Sequence, residues 1–283
     1  MIKFGPGGNC EWFKEEGNKT SDRMPAFLDK IGLDAYEVEC GRGVRMNDTV
    51  AKSLKAEAER YGIALSVHAP YYISMSSVEE EKRNNSIRYL LETAALAKKI
   101  GADRIIFHSG SCAKISREEA LHLAKETLKK AQQAFDAEGY ENLILCPETM
   151  GKINQLGSLD EVMELCKVDG RILPTIDFGH LNAREQGLFY GESDYERVLA
   201  VMEDALGKDR ASRFHAHFSK IEYTAGGEKR HLTFEDSVYG PEFAPLAAVL
   251  AKRGASPTII CESAGTQSRD ALVMKKLFFA NNT

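Results

Sequence analysis

A closed α/β barrel of eight parallel strands is the fold this sequence predicts, and three observations carry it. Short apolar runs alternate eight times with longer amphipathic ones, no low-complexity linker divides them, and no G-x-G-x-x-G follows the first run. An open doubly wound sheet would also alternate, but eight repeats in one undivided chain are the number that closes a (β/α)8 TIM barrel. Such barrels commonly run to roughly 250 residues as one domain, so residues 1–283 are read as a single domain.

The strand-like runs are, in order, "MIKF", "AYEVEC", "ALSVHAP", "RIIFHSG", "NLILCPET", "ILPTIDFGH", "RFHAHFS" and "PTIICES". Helical patterns lie between them at about 23–31, 48–61, 79–100, 117–138, 158–166, 194–206 and 242–253, with a last one from 268. "RNNSIRYLLETAALAKKIG" has the apolar spacing of a helix and ends on Gly101, a residue suited to a left-handed cap. Ser158 followed three residues later by Glu161 is the signature of a capping box.

Composition bounds the function classes. The chain is 43% hydrophobic and 28% charged, enough for a large core and too apolar for disorder. No apolar run approaches the ~20 residues of a membrane helix, and "MIKFGPGGNC" lacks the apolar stretch of a signal peptide. A cytoplasmic monomer is expected. The six cysteines are scattered without a C-x-x-C pair, so neither disulfides nor a cysteine zinc site is expected; Cys146 and Cys261 sit in apolar runs as small core residues. A net charge of −5 argues against coating nucleic acid through overall charge, and leaves a local basic rim or bound cations to supply attraction.

In such barrels functional groups come from the C-terminal ends of the strands and the loops that follow. Read in order, strands three to eight end in His68, His108, Glu148, Asp177, His215 and Glu262. One strand-end carboxylate is usually a helix cap and one histidine a satisfied core residue. Six metal-competent residues in phase around one rim point instead to bound cations, because ionisable groups withdrawn from water must be paired or must coordinate. Mixed imidazoles and carboxylates suit zinc, with manganese or iron as alternatives. Three histidines and three carboxylates exceed one four-coordinate ion, and Glu148, central in the order, is suited to bridge two. His180 and His231 can face the same cavity from loops. His217 follows His215 at strand period two, and either supports a ligand or fills the barrel. His122, within a helical run, is read as exposed and uninvolved.

"VHAPYYISMSS", "FHSGS", "CPETMGKINQLGS", "IDFGH" and "HAHFSK…EKRH" resemble, in order, motifs of the endonuclease IV family of apurinic/apyrimidinic endonucleases. That family lies within the xylose isomerase-like TIM barrel superfamily, and this chain resembles a divergent member. The likeness runs from about strand three to strand eight. It implies a first zinc on His68, His108 and Glu148, a second on Glu148, Asp177, His215 and Glu262, and a third on His180 and His231. It also implies a hydroxide bridging two metal ions that attacks the phosphorus of duplex DNA at an abasic lesion, with Glu148 and Glu262 positioning and deprotonating it. Implied substrate contacts are Tyr71 and Tyr72 as wedges, and Arg42, Arg45, Lys152, Lys220 and Arg230 near phosphates.

The resemblance breaks at one position. Where the family has aspartate two residues before the last histidine, this chain has Lys229. Three repairs are open: Glu228 swings in from the loop, His217 supplies the ligand where the family usually has asparagine, or the Lys229 ammonium replaces the third cation and contacts phosphate. Otherwise the third site is lost and the chemistry has changed. The family's glycine-rich continuation is replaced by "LTFEDSVYGPEF". Two rivals therefore stand beside the nuclease: a single-metal sugar isomerase or epimerase using Glu148, Asp177, His215 and Glu262, and a metal-binding barrel that recognises a lesion without cleaving it.

Overall fold

The computed structural model describes residues 1–280. Its barrel strands are β1 (Lys3–Pro6), β2 (Ala35–Glu39), β3 (Ala64–His68), β4 (Arg104–Phe107), β5 (Ile144–Pro147), β6 (Thr175–Asp177), β7 (His215–Phe218) and β10 (Thr258–Cys261), with β8 (Ile221–Thr224) and β9 (Gly227–His231) forming a separate antiparallel hairpin. All barrel pairings are parallel: β2-β3-β4-β5 form one run and β1-β10-β7-β6 the other. Parallel bridges Gly7–Glu37 and Glu148–Thr175 join the two runs and close the barrel.

The helices expected from periodicity form within a residue or two of their predicted bounds. They are α2 (Met24–Ile31), α3 (Asp48–Tyr61), α4 (Glu80–Ile100), α5 (Arg117–Ala137), α6 (Leu159–Cys166), α8 (Glu192–Leu206), α10 (Phe243–Arg253) and α11 (Gln267–Ala280). Gly101 ends α4 in the left-handed conformation, and Ser158 and Glu161 complete the capping box of α6. Short helices α1 (Glu11–Glu15), α7 (Phe178–Arg184) and α9 (Lys208–Ser212) were not predicted. They are too short to show an apolar period. No helix among the described residues is long and apolar enough to cross a membrane, and all six cysteines are free thiols.

Barrel strands are short, and most of their apolar residues pack into one large cluster with the inner faces of the helices, including fully buried Phe4, Phe107, Phe178, Phe214 and Phe218, while Ile106 and Cys146 form a small second cluster with Leu173. Burying such side chains contributes roughly 1.5–3 kcal/mol each. Against that background, the buried polar residues Glu37, His68, Glu148, Asp177, His180, His215 and His217 stand out. They stack along the barrel axis toward the C-terminal rim.

Candidate metal centre

His68 and Asp177 are the last residues of β3 and β6; His108, Glu148 and Glu262 each follow the last residue of β4, β5 and β10. The barrel therefore delivers these five side chains to one rim, as the strand ends suggest. Glu148 is the hub. Its Oε2 lies 3.0 Å from His108 Nε2 and 3.3 Å from His68 Nε2, while its Oε1 lies 3.0 Å from His217 Nδ1. Only 1% of its side chain is exposed.

The strand-seven histidine is corrected by the register. β6 pairs with β7 so that Asp177 lies beside His217, and His215 lies beside Thr175, two residues deeper. Because alternate strand residues share a face, both rings point inward, but only His217 reaches the rim. The ligand atoms of Glu148, Asp177, His217 and Glu262 lie within 4.8 Å of one another, whereas His215 groups with Glu37 below. The rim position expected of His215 is occupied by His217.

His180 and His231, expected on loops, lie instead in α7 and at the end of β9. His180 stands in the first turn of α7, which Asp177 caps: Asp177 Oδ1 accepts from the His180 backbone N–H at 2.7 Å. Asp177 Oδ2 is buried without a hydrogen-bond partner. Its nearest charged neighbour is His180 Nδ1 at 3.3 Å, out of line for a hydrogen bond, which leaves the oxygen open to a cation. The donor chemistry fits too: His68, His108 and Glu148 form one ligand group, and Glu148, Asp177, His217 and Glu262 a second. These residues would hold zinc, manganese or iron.

The position of Lys229 resolves through the hairpin. β8 and β9 slip register between Glu222 and Tyr223, so Glu222 faces Arg230 while Tyr223 faces Glu228. This bulge inserts one extra residue and reverses the alternation. Lys229 and Arg230 both turn outward onto Glu222, at 2.5 and 2.6 Å. Glu228 turns inward, with Oε2 3.4 Å from His180 Nε2, and groups with His180 and His231. Gly227 permits the approach: it has φ +90°, and a Cβ there would meet the Gly151 carbonyl at 2.1 Å. Of the three repairs, Glu228 is the one that the structure adopts. Lys229→Ala is accordingly expected to leave stability and cation content nearly unchanged, since it removes only an exposed ion pair. Glu228→Gln is expected to lose one equivalent of cation per chain. Metal analysis of the two purified variants checks both.

The electrostatics follow from crowding. Burial opposes charge on Glu148, but His217, His108 and His180 outweigh it and hold its carboxyl well below the usual range. Glu262 moves the other way: burial, then Glu148, Asp177 and Glu39, push its carboxyl well above the usual range against the pull of His217. Burial opposes the charged form of His68, yet Glu39 and Glu148 push it up to about 10. Carboxylates and imidazoles that shift one another in this way, beside a cavity, mark a functional-site candidate.

The predicted substrate contacts divide. Tyr71 stacks on His108, ring centroids 5.4 Å apart and planes at 14°, and donates its hydroxyl to Glu39 Oε2 at 3.2 Å. It stands between the ligand-lined cavity of about 370 Å³, which also holds Lys152, and a neighbouring cavity of about 620 Å³ lined by Arg42 and Arg45. Tyr72 packs edge-on against Tyr89 of α4 instead. Lys220 is not a phosphate contact: it is buried and ties Asp236 O and Glu242 Oε1 at 2.7 and 2.6 Å. Arg230, like Lys229, is held by Glu222 on the outer face. His122 is exposed on α5. Glu37 and Glu39 were missed; their signal was two acids spaced by two in the apolar run "AYEVEC".

Comparison with known proteins agrees with this architecture. An uncharacterized protein of Methanocaldococcus jannaschii is 37% identical over 248 residues, spanning 88% of each chain. A protein named probable endonuclease 4 of Acholeplasma laidlawii is 27% identical over 169 residues, which is 58% of this chain and 55% of that one. Among solved structures, a D-tagatose 3-epimerase-like protein superposes with a TM-score of 0.73 at 18% identity, covering 99% of this chain and 98% of the other. The sequence profile of one family matches residues 25–278, from α2 into α11 and so every barrel strand but β1. The chain thus belongs to the xylose isomerase-like TIM barrel family.

Proposed function

We propose that this protein is a metal-dependent phosphodiester hydrolase that incises duplex DNA at abasic sites. One observation carries the reading: the ligand groups His68–His108–Glu148, Glu148–Asp177–His217–Glu262 and His180–Glu228–His231 adjoin at one rim, each with members lining the same cavity. Two or three divalent cations there would polarise a phosphodiester and activate water for in-line attack.

The chain's own residues supply the rest. Glu148, shared by two groups and buried, would serve as a ligand in both. Glu262 is the more open carboxylate, 17% exposed, so it is placed to accept the proton of the attacking water. Tyr71 forms the rim wall beside His108. Lys152 lines the same cavity, and Arg42, Arg45 and Lys19 line the adjoining one. Arg42, Arg45 and Lys19 make no ion pair among the described residues, which leaves their charge for phosphates flanking the lesion.

A second reading has its own support. Glu148, Asp177, His217 and Glu262 alone suffice for one cation, and the likeness to a D-tagatose 3-epimerase-like protein suits proton transfer on a sugar. The test is incubation of the zinc- or manganese-loaded protein with a duplex oligonucleotide carrying one stable abasic analogue. A nick on the 5′ side of the lesion is expected. Intact duplex together with epimerised ketose would hand the site to the second reading.

A further inference from the structure

We infer that Glu37 is a positioning residue of the metal centre, holding the His217 ring from beneath so that Nδ1 faces Glu148, Asp177 and Glu262. The inference rests on the metal-centre reading above and adds a residue that it does not use.

His68 and His108 face Glu148 through Nε2, and His180 faces Glu228 through Nε2. His68 Nδ1 is held by the Ala69 carbonyl at 2.8 Å, and His180 Nδ1 by the Thr149 carbonyl at 2.9 Å with Asp177 Oδ2 3.3 Å away. Such partners choose the tautomer and aim the free lone pair. His217 is reversed. Its Nδ1 lies 3.0 Å from Glu148 Oε1 and 3.4 Å from Glu262 Oε1, and its Nε2 lies 2.8 Å from Glu37 Oε1.

Glu37 is itself braced. It is fully buried on β2, receives the Ser66 hydroxyl on Oε2 at 2.6 Å, and has His215 Nε2 3.0 Å from the same oxygen. Strands β3 and β7 thus pin one oxygen and leave the other for His217. The two histidine contacts are close but not linear; Coulomb attraction survives misalignment that weakens a hydrogen bond. A carboxylate so deep in an apolar barrel is costly unless paired, and pairing with His217 gives its charge a use.

The test compares the wild-type protein with Glu37→Gln, each titrated with zinc against a chromophoric chelator. The nitrogen-15 shifts of the imidazoles are read on the zinc-loaded wild type. We expect one zinc equivalent to bind about 10- to 100-fold more weakly in the variant, with the others unchanged. We also expect His217 to carry metal on Nδ1 and a proton on Nε2. The nitrogen-15 reading needs no variant, so it decides even if Glu37→Gln fails to fold. Metal on Nε2 of His217, or equal affinities in the two proteins, would overturn the inference alone. A wild type that binds no zinc would overturn the metal-centre reading with it.

Discussion

Glu148→Gln is expected to cut incision of abasic duplex by about 1000-fold or more and to strip cations from both ligand groups that share it. The carboxylate faces His68 and His108 through one oxygen and His217 through the other. An amide keeps the shape, but its nitrogen has no lone pair for a cation and its oxygen serves only one side. The variant should still fold, because His68 and His217, relieved of a neighbouring anion, relax toward the neutral forms that burial favours. Kinetics and metal content measured together check this; a loss of tenfold or less would remove Glu148 from the centre of the mechanism.

The second large effect is on stability. A cation present at about 1000 times its Kd contributes about 4 kcal/mol, roughly 10 °C in Tm for a chain of this size. Chelation should therefore lower Tm by that amount for each tight site lost. It should also make stability depend on pH. In the metal-free protein His68 stands at about 10 against 6.5 unfolded, and His180 and His217 are also raised well above the usual value, each because neighbouring carboxylates overcome burial. A raised imidazole contributes stability that is fully present below the unfolded pKa and is lost as pH rises toward the folded one. Glu262, also raised, has the same sign.

Glu37 and Glu148 are depressed, burial being outweighed by their imidazole neighbours, so their contribution is complete above the carboxylate range and flat near neutrality. Between about pH 7 and 8, below the midpoint of thiol titration, the metal-free protein should lose about 1 kcal/mol per pH unit for each such imidazole. With cations bound, those rings are already neutral ligands and the dependence should flatten. Denaturant unfolding at the two pH values, with and without chelator, measures both slopes. Equal slopes would mean that the rings do not ligate.

The barrel and most of its rim were legible because both follow from short-range pattern. Alternating runs give the strands and helices, and a strand end is a position that a sequence marks by itself. His68, His108, Glu148, Asp177 and Glu262 are of this kind. What the sequence hides is register. His215 and His217 share one face of β7 and differ only in depth, and depth is fixed by pairing with β6. The bulge in the hairpin is another one-residue event: it turns Glu228 inward and Lys229 outward, the reverse of what simple alternation from His231 implies. Lys220 shows the remaining limit, since a lysine near a rim reads as exposed until the chain that buries it, through Asp236 and Glu242, is in place.

Anomalous scattering from crystals grown with zinc tests most directly whether a third cation site shares the cavity with the two that meet at Glu148. The expected result is three peaks, one each among His68, His108 and Glu148; Glu148, Asp177, His217 and Glu262; and His180, Glu228 and His231. A single peak on the four-residue group, with the other two groups empty at saturating zinc, would contradict it and favour the single-cation sugar chemistry instead.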